Sequence, residues 1–321
     1  MPESVVIVGS LALDTIQTPF GQRENIVGGA GYYGSVAASL FAPVKLVGVI
    51  GDDFPQHALD TLEERQVDTE GVRVIEDGKS FRWAGRYEAS MNVAETLDTQ
   101  LNVFADFDPV LPDDYRSSRF VFLANIMPSL QLSVLDQIRG DAFSCCDTMN
   151  YWIENDRDDL VEVIRRVDMV LMNDAEARQF ADTTSLVQAA DALVDLGPRY
   201  VVIKMGEYGA TMVSEDSRLT LPCCPLPDVH DPTGAGDSFA GGMMGYLAWA
   251  NSSDEEDVRR GLVLGTVTAS RAIQSFGTRA LEETSPEEIY DGYRLLQQIT
   301  HFEDLPETFE ACPTISTAEN L

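Results

Sequence analysis

The chain has 321 residues, 22 basic and 53 acidic, for a formal net charge of −31; 44% are hydrophobic and 23% charged. That composition supplies a large core and excludes intrinsic disorder, and the length fits one large α/β domain or two ordinary ones. So negative a charge argues against nucleic acid or an anionic membrane as a partner, and no apolar run nears the roughly 18 residues that a membrane helix needs.

In chain order, residues 5–8 read as a short buried strand. A second such run covers 45–50, followed by an amphipathic helix over 54–65. Residues 81–88 then break the rhythm, with Phe81, Trp83 and Tyr87 alternating with Arg82, Arg86 and Glu88. Together with an extended stretch over 99–104 they predict an antiparallel flap inserted in the α/β body and covering a site, with Asp14 and Gly29 beneath it, an edge hairpin being the plainer alternative. Strands over 120–123, 142–146, 169–172 and 200–203 alternate with helical patterns over 130–138, 160–167 and 186–196. This β–α alternation implies a central, mainly parallel sheet with helices on both faces. After Asp237 the pattern is almost wholly helical, and residues 303–321 read as a loose tail.

The basic residues are 19 Arg and only 3 Lys (Lys45, Lys79, Lys204). Such an acid excess with few lysines points to adaptation to high salt, where ions screen self-repulsion; a merely acidic protein is the alternative. Met1-Pro2-Glu3-Ser4 has neither the basic region nor the cleavage pattern of a secretory signal, so a cytoplasmic location is expected. The five cysteines, two vicinal pairs and Cys312, make no disulfide framework, and with three histidines a zinc site is not expected.

Two segments imitate phosphate loops. Gly78-Lys79-Ser80 ends like a Walker A loop, but Arg73 stands where that motif needs glycine and a strand pattern follows. Residues 29–34 match G-x-G-x-x-G, yet they lie some twenty residues beyond the first strand, which weakens a dinucleotide reading. The glycines at 28, 29, 31 and 34 imply close backbone approach, either to a ligand or between packed elements.

The most specific segment is 231–242, Asp-Pro-Thr-Gly-Ala-Gly-Asp-Ser-Phe-Ala-Gly-Gly. Gly234, Ala235 and Gly236 should lie at the start of a helix, where unpaired backbone N–H groups and the helix dipole receive an anion. Asp237 beside them can accept a proton from a hydroxyl attacking phosphorus. Helix capping by Asp237 is the alternative for an isolated copy of this pattern.

Residues 231–242 closely resemble the C-terminal signature of the PfkB/ribokinase family of carbohydrate kinases. Val8-Gly9-Ser10 with Asp14, the pair Gly28-Gly29, residues 49–53, Asn173-Asp174-Ala175-Glu176 and residues 204–209 resemble the family's other markers in order, so the resemblance covers nearly the whole chain. It implies a ribokinase-like fold over residues 1–302, with a small β lid around 12–27 and 80–105. The implied activity is ATP-dependent transfer to a sugar hydroxyl, with magnesium. By resemblance Asp237 is the base, and residues 234–236 hold the γ-phosphate. Asn173 and Glu176 organise magnesium, water and phosphates, although capping of a helix by Asn173 can coexist with that role. Lys204, Gly206 and Gly209 border the nucleotide, and Thr266, Ser270 and Gly277 fall where relatives enclose adenine. Lys204 as a snorkelling surface lysine is the alternative to phosphate contact. Asp14, Gly28 and Gly29 hold acceptor hydroxyls. Asp231 and Thr233 match positions that in some members contribute to a monovalent-cation (K+) site. Lid strands of relatives often pair between subunits, which implies a homodimer.

The chain departs from the family where an asparagine usually follows the glycine pair: Tyr33 stands near that place. Tyr32 and Tyr33 could stack on a sugar or a base, and residues 147–150 could also face the site. The expected reaction is phosphorylation of a hydroxyl, on a primary alcohol, of a sugar or sugar derivative. A nucleoside kinase, a catalytically silent binding protein and a dinucleotide oxidoreductase are the alternatives.

Overall fold

The computed structural model describes residues 2–304; of the tail expected over 303–321, residues 305–321 lie outside the described residues. The strands are β1 Val5–Val8, β2 Ala12–Thr18, β3 Gly21–Gly28, β4 Val44–Gly51, β5 Val67–Ile75, β6 Phe81–Tyr87 and β7 Ala94–Gln100. Then follow β8 Phe120–Leu123, β9 Phe143–Asp147, β10 Met169–Asn173, β11 Tyr200–Lys204, β12 Ala210–Val213 and β13 Arg218–Leu221. A nine-stranded sheet has the order β13-β12-β11-β10-β9-β8-β1-β4-β5. It is parallel from β11 to β5, and β12 and β13 add an antiparallel edge.

The short apolar runs are strands because both faces are covered. Val5 and Ile7 point into a layer with the helices Ala30–Ala38 and Ala235–Ala250, while Val6 and Val8 point into the opposite layer with Arg157–Arg166 and Leu186–Val194. Glycines let the helices 30–38 and 235–250 touch backbone to backbone. A Cβ at Gly241 would stand 2.2 Å from the Gly34 carbonyl oxygen, and one at Gly31 would stand 2.9 Å from the Gly9 carbonyl carbon. Gly31 and Gly34 therefore serve packing, and the G-x-G-x-x-G match is a consequence of it.

Four strands form a separate sheet, β3-β2-β6-β7, which lies outside the parallel sheet. It differs from the expected flap in three ways. Its central pair β2–β6 is parallel, so the sheet is mixed. Its last strand ends at Gln100, before the expected extended stretch is complete. Asn102 takes a left-handed φ of 48° and gives its side-chain amide to the Ser80 carbonyl at 2.9 Å, so residues 102–106 form a 3-10 turn. Asp14 is a member of this sheet, opposite Trp83, and does not lie beneath it. Ser80 follows the Walker-like Gly78-Lys79, but strand β6 begins at Phe81, and the Ser80 hydroxyl accepts the Gly51 amide at 3.0 Å. No helix of the described residues is long and apolar enough to cross a membrane, and their cysteines are free thiols.

Candidate active site

Parallel strands place their carboxyl ends on one edge, where open α/β sheets bind ligands. Asp147, Asn173 and Lys204 are the last residues of the adjacent strands β9, β10 and β11. Facing them is the start of the helix Ala235–Ala250. Gly234 precedes that helix with φ 73°, a left-handed conformation that favours glycine. A side chain there would also collide with the Tyr33 ring, since a Cβ would lie 2.3 Å from the ring Cγ. The Ala235 amide turns back to the Pro232 carbonyl at 3.1 Å, and Asp237 follows in the first helical turn. Among the described residues the Gly236 amide has no acceptor, which leaves this end of the dipole ready for an anion.

Asp237 stands partly open to the cleft. Desolvation, and then the charge of Asp147, push its pKa up to about 6, against the pull of Lys204 and its own amide. Lys204 and Asp147 form an ion pair of 2.5 Å whose side chains are 16% and 5% exposed. Burial opposes the Lys204 charge, but Asp147 and Glu176 more than offset it, and its pKa stands above the ordinary value. The snorkelling alternative is thereby excluded, because this ammonium is turned inward.

Asn173 caps the helix Asp174–Ala181. Its side-chain oxygen accepts the Glu176 amide at 2.8 Å, and Glu176 accepts the Asn173 amide at 2.7 Å. Glu176 is 9% exposed; burial first, and Asp147 next among the raising influences, lift its pKa to about 7, while Lys204 opposes them. The capping arrangement and a place at the strand edge thus coexist in one pair.

The other half of the cleft is built on the second sheet. Asp14 is 4% exposed, receives the Gly29 amide, and has its pKa raised to about 8 by burial and then by Asp231 and Asp237. A Cβ at Gly28 would lie 2.1 Å from the Asp14 carboxylate oxygen, so this position must stay without a side chain. Asp231 is buried, and burial raises its pKa. Its two oxygens accept the amides of Thr233 at 2.9 Å and Gly277 at 3.3 Å. Tyr33 is 1% exposed, and its hydroxyl has no hydrogen-bond partner among the described residues. Tyr32 is a correction: its hydroxyl reaches the Ala58 carbonyl at 3.4 Å and its ring meets Phe54 edge-on, so it belongs to the core and stacks on no ligand.

Gly277, expected beside adenine, is thus brought to Asp231. The Thr266 and Ser270 hydroxyls bond to the Leu262 and Thr266 carbonyls of their own helix, at 2.9 and 2.8 Å. Gly206 and Gly209 flank a 3-10 turn after β11, both at positive φ. Two contacts escaped the sequence reading. The Tyr87 hydroxyl at the end of β6 meets the Thr233 hydroxyl at 3.3 Å, and Asn92 donates to Glu207 at 3.1 Å. The second sheet therefore touches both the helix-start loop and the turn after β11. Only the aromatic pattern of 81–88 hinted at the first; nothing in the sequence signalled the second.

The model of the pfkB family of carbohydrate kinases matches residues 3–285. The chain belongs to that family. Its members are ATP-dependent kinases acting on a sugar or a nucleoside, with Mg2+ the usual partner of ATP. Cytidine kinase of Thermococcus kodakarensis is 31% identical over 263 residues, covering 80% of this chain and 93% of that one. The 1-phosphofructokinase of Haloferax volcanii is 27% identical over 277 residues, 83% of each chain. Among solved structures, the nucleoside kinase of Methanocaldococcus jannaschii superposes with a TM-score of 0.73 at 18% identity, over 91% of this chain and 98% of that one. The ribokinase-like fold of this family member is thereby established. Its residues suit Mg–ATP. The helix start offers an anion site, and among the described residues no cluster of three or more His, Cys, Asp or Glu forms a metal cage.

Proposed function

We propose that this kinase transfers the γ-phosphoryl group of ATP to a hydroxyl, on a primary alcohol, of a sugar moiety, with Asp237 as general base. The observation that carries this reading is Asp237 in the first turn of the helix 235–250, next to Gly236 and with its carboxyl pushed up to about 6. A base of that pKa is ionised at neutral pH yet basic enough to take the hydroxyl proton. Gly234, Ala235 and Gly236 receive the transferring group. Asn173 and Glu176 stand where they can order the magnesium shell, and Gly206 and Gly209 border the nucleotide. Asp14, Gly28, Gly29 and Tyr33 line the acceptor side, and the sheet β3-β2-β6-β7 is its lid.

A nucleoside acceptor is favoured by the 31% identity to cytidine kinase across most of both chains. A screen of ATP consumption over pentoses, hexoses, their phosphates and nucleosides tests both readings. Turnover with a nucleoside supports the second, turnover with a free sugar or sugar phosphate the first alone, and no ATP consumption with any acceptor overturns the kinase reading. The Asp231–Thr233–Gly277 cluster is the place for a monovalent cation, to be tested by comparing KCl with choline chloride at equal ionic strength. The lid's outer face would join two copies of a cytoplasmic enzyme.

A further inference from the structure

We propose that Lys204 is a catalytic residue, a built-in cation for the phosphoryl group in flight, and that Asp147 is the residue that positions it. The role presupposes the phosphoryl-transfer reading above and adds to it a division of labour under the anion site.

The two residues end strands β11 and β9, and β10 runs between them. Neighbouring strands lie about 4.8 Å apart, so these two backbones are roughly 10 Å apart. A lysine at the end of β11 would ordinarily extend into water. Here it leans across the sheet edge to Asp147, 57 residues earlier in the chain, and closes a 2.5 Å ion pair. That path carries the ammonium under the helix start: a Cβ placed on Gly236 would stand 3.1 Å from Lys204 Nζ. The cation therefore abuts the Gly236 end of the Gly234–Gly236 segment.

An ammonium has three N–H donors. Among the described residues Asp147 is the only hydrogen-bond partner of this one. Leaving the remaining donors of a buried cation unmet is costly, and an anion at the helix start would meet them. The groups facing Lys204 are Asp147 from β9, Glu176 from the helix 174–181 and Asp237 from the helix 235–250. Cys145 also faces it, a thiol that burial keeps protonated. One cation among three carboxylates is shared out in the free protein and gains a stronger partner as phosphoryl charge arrives.

In the transfer, the acceptor oxygen forms a bond to Pγ as the bond from Pγ to the β–γ bridging oxygen breaks. The electron pair of the broken bond leaves on ADP, and the acceptor's proton passes to Asp237. Negative charge spreads over the phosphoryl oxygens, and a fixed cation at the helix edge stabilises it without reorganisation. Asp147 holds the ammonium at the one place where it reaches that group. It also acts on the base: its negative charge is the largest influence after desolvation in raising Asp237.

The test compares kcat, the KM of ATP and of the acceptor, and the pH profile in Lys204→Met, Asp147→Asn, the double variant and Asp237→Asn. Lys204→Met should lose about 10²–10³ in kcat, with acceptor KM changed less than twofold. Asp147→Asn should lose about tenfold in kcat and move the acid limb of kcat to lower pH. The reason is that Asp237 loses a neighbouring negative charge and faces an unshared ammonium. A purely structural Asp147 would lower thermal stability and leave that limb in place. Should Lys204→Met be unfolded by an unpaired buried carboxylate, the double variant removes both charges; replacing both members of such a pair is well tolerated. Its folding, followed by circular dichroism, combined with lost turnover supports the role. Near-normal kcat in a folded double variant, or a rise in ATP KM alone, overturns it. Asp237→Asn separates the two levels. If it remains active, Asp237 is not the general base and that part of the proposed function fails. If it is inactive while the lysine variants turn over normally, only the Lys204 role fails.

Discussion

The two halves of the cleft are both rich in carboxylates, but only in one does a cation stand among the main influences on them. On the strand-edge side Asp147, Glu176 and Asp237 surround Lys204, and Asp237 rises only to about 6. On the lid side Asp14 is influenced by Asp231 and Asp237, with no ammonium or guanidinium among its main influences, and it rises to about 8. Burial is the leading cause in both halves, and the company each carboxyl keeps differs: Lys204 opposes the rise at Asp237, while Asp231 and Asp237 add to it at Asp14. In the proposed function one half receives the negative charge arriving with ATP. The other holds a proton at neutral pH, so Asp14 can donate to an acceptor oxygen as well as receive from its hydroxyl.

The strongest way to break this comparison is Asp237→Asn, which removes the proposed base, placed between the two halves. A fall in kcat of about 10²–10⁴ is expected, with ATP affinity little changed. In the wild type the rate should fall as pH drops through about 6, where Asp237 takes up its proton and can no longer accept another. Near-normal turnover of the folded variant would remove Asp237 from the chemistry.

A smaller effect separates the halves from each other. Glu176→Gln keeps the side chain's shape and its capping acceptor but removes the charge that would order magnesium and its waters. Its half-maximal magnesium concentration should rise severalfold and kcat fall, with acceptor KM nearly constant. Asp14→Asn should do the reverse, raising acceptor KM about tenfold or more while the magnesium response stays put. Paired titrations of magnesium and acceptor on each variant decide it. If Glu176→Gln moves acceptor KM alone, Glu176 is a capping residue and nothing more.

The strand-edge half was far more legible in the sequence than the lid. Strands such as Met169–Asn173 are buried on both faces, so they appear as unbroken apolar runs, and their carboxyl ends announce where Asn173 and Lys204 stand. The strand Ala94–Gln100 is exposed almost throughout and carries no apolar period, so only its end was anticipated, and Gly21–Gly28 has four consecutive exposed residues. Pairing across the fold was not legible at all. The Lys204–Asp147 and Tyr87–Thr233 contacts join residues 57 and 146 positions apart, and no local pattern encodes them.

Acidity tests the lid half without any substrate. In the unfolded chain Asp14 ionises near pH 4, and in the folded protein near 8. Between those values the folded state binds more protons, so stability falls as pH rises through that window. Asp14→Asn removes this contribution. Its thermal midpoint should exceed that of the wild type at pH 8, and the two should converge toward pH 4. A constant gap across that range would mean that Asp14 is not held protonated by the fold.

The smallest expected effect contrasts the cleft with the outer surface. With a net charge of −31 the compact protein repels itself. Raising ionic strength from 0.1 M to 1 M shortens the Debye length from about 10 Å to about 3 Å, which weakens repulsion between exposed acids but hardly reaches buried ones. The thermal midpoint should therefore rise with KCl, and by the same amount in the wild type and in Asp14→Asn. Equal slopes place the salt response on the surface and support adaptation to high salt. A slope that flattens in Asp14→Asn would place it in the lid-side acids instead, and a midpoint that stays level or falls in both proteins leaves only a merely acidic chain.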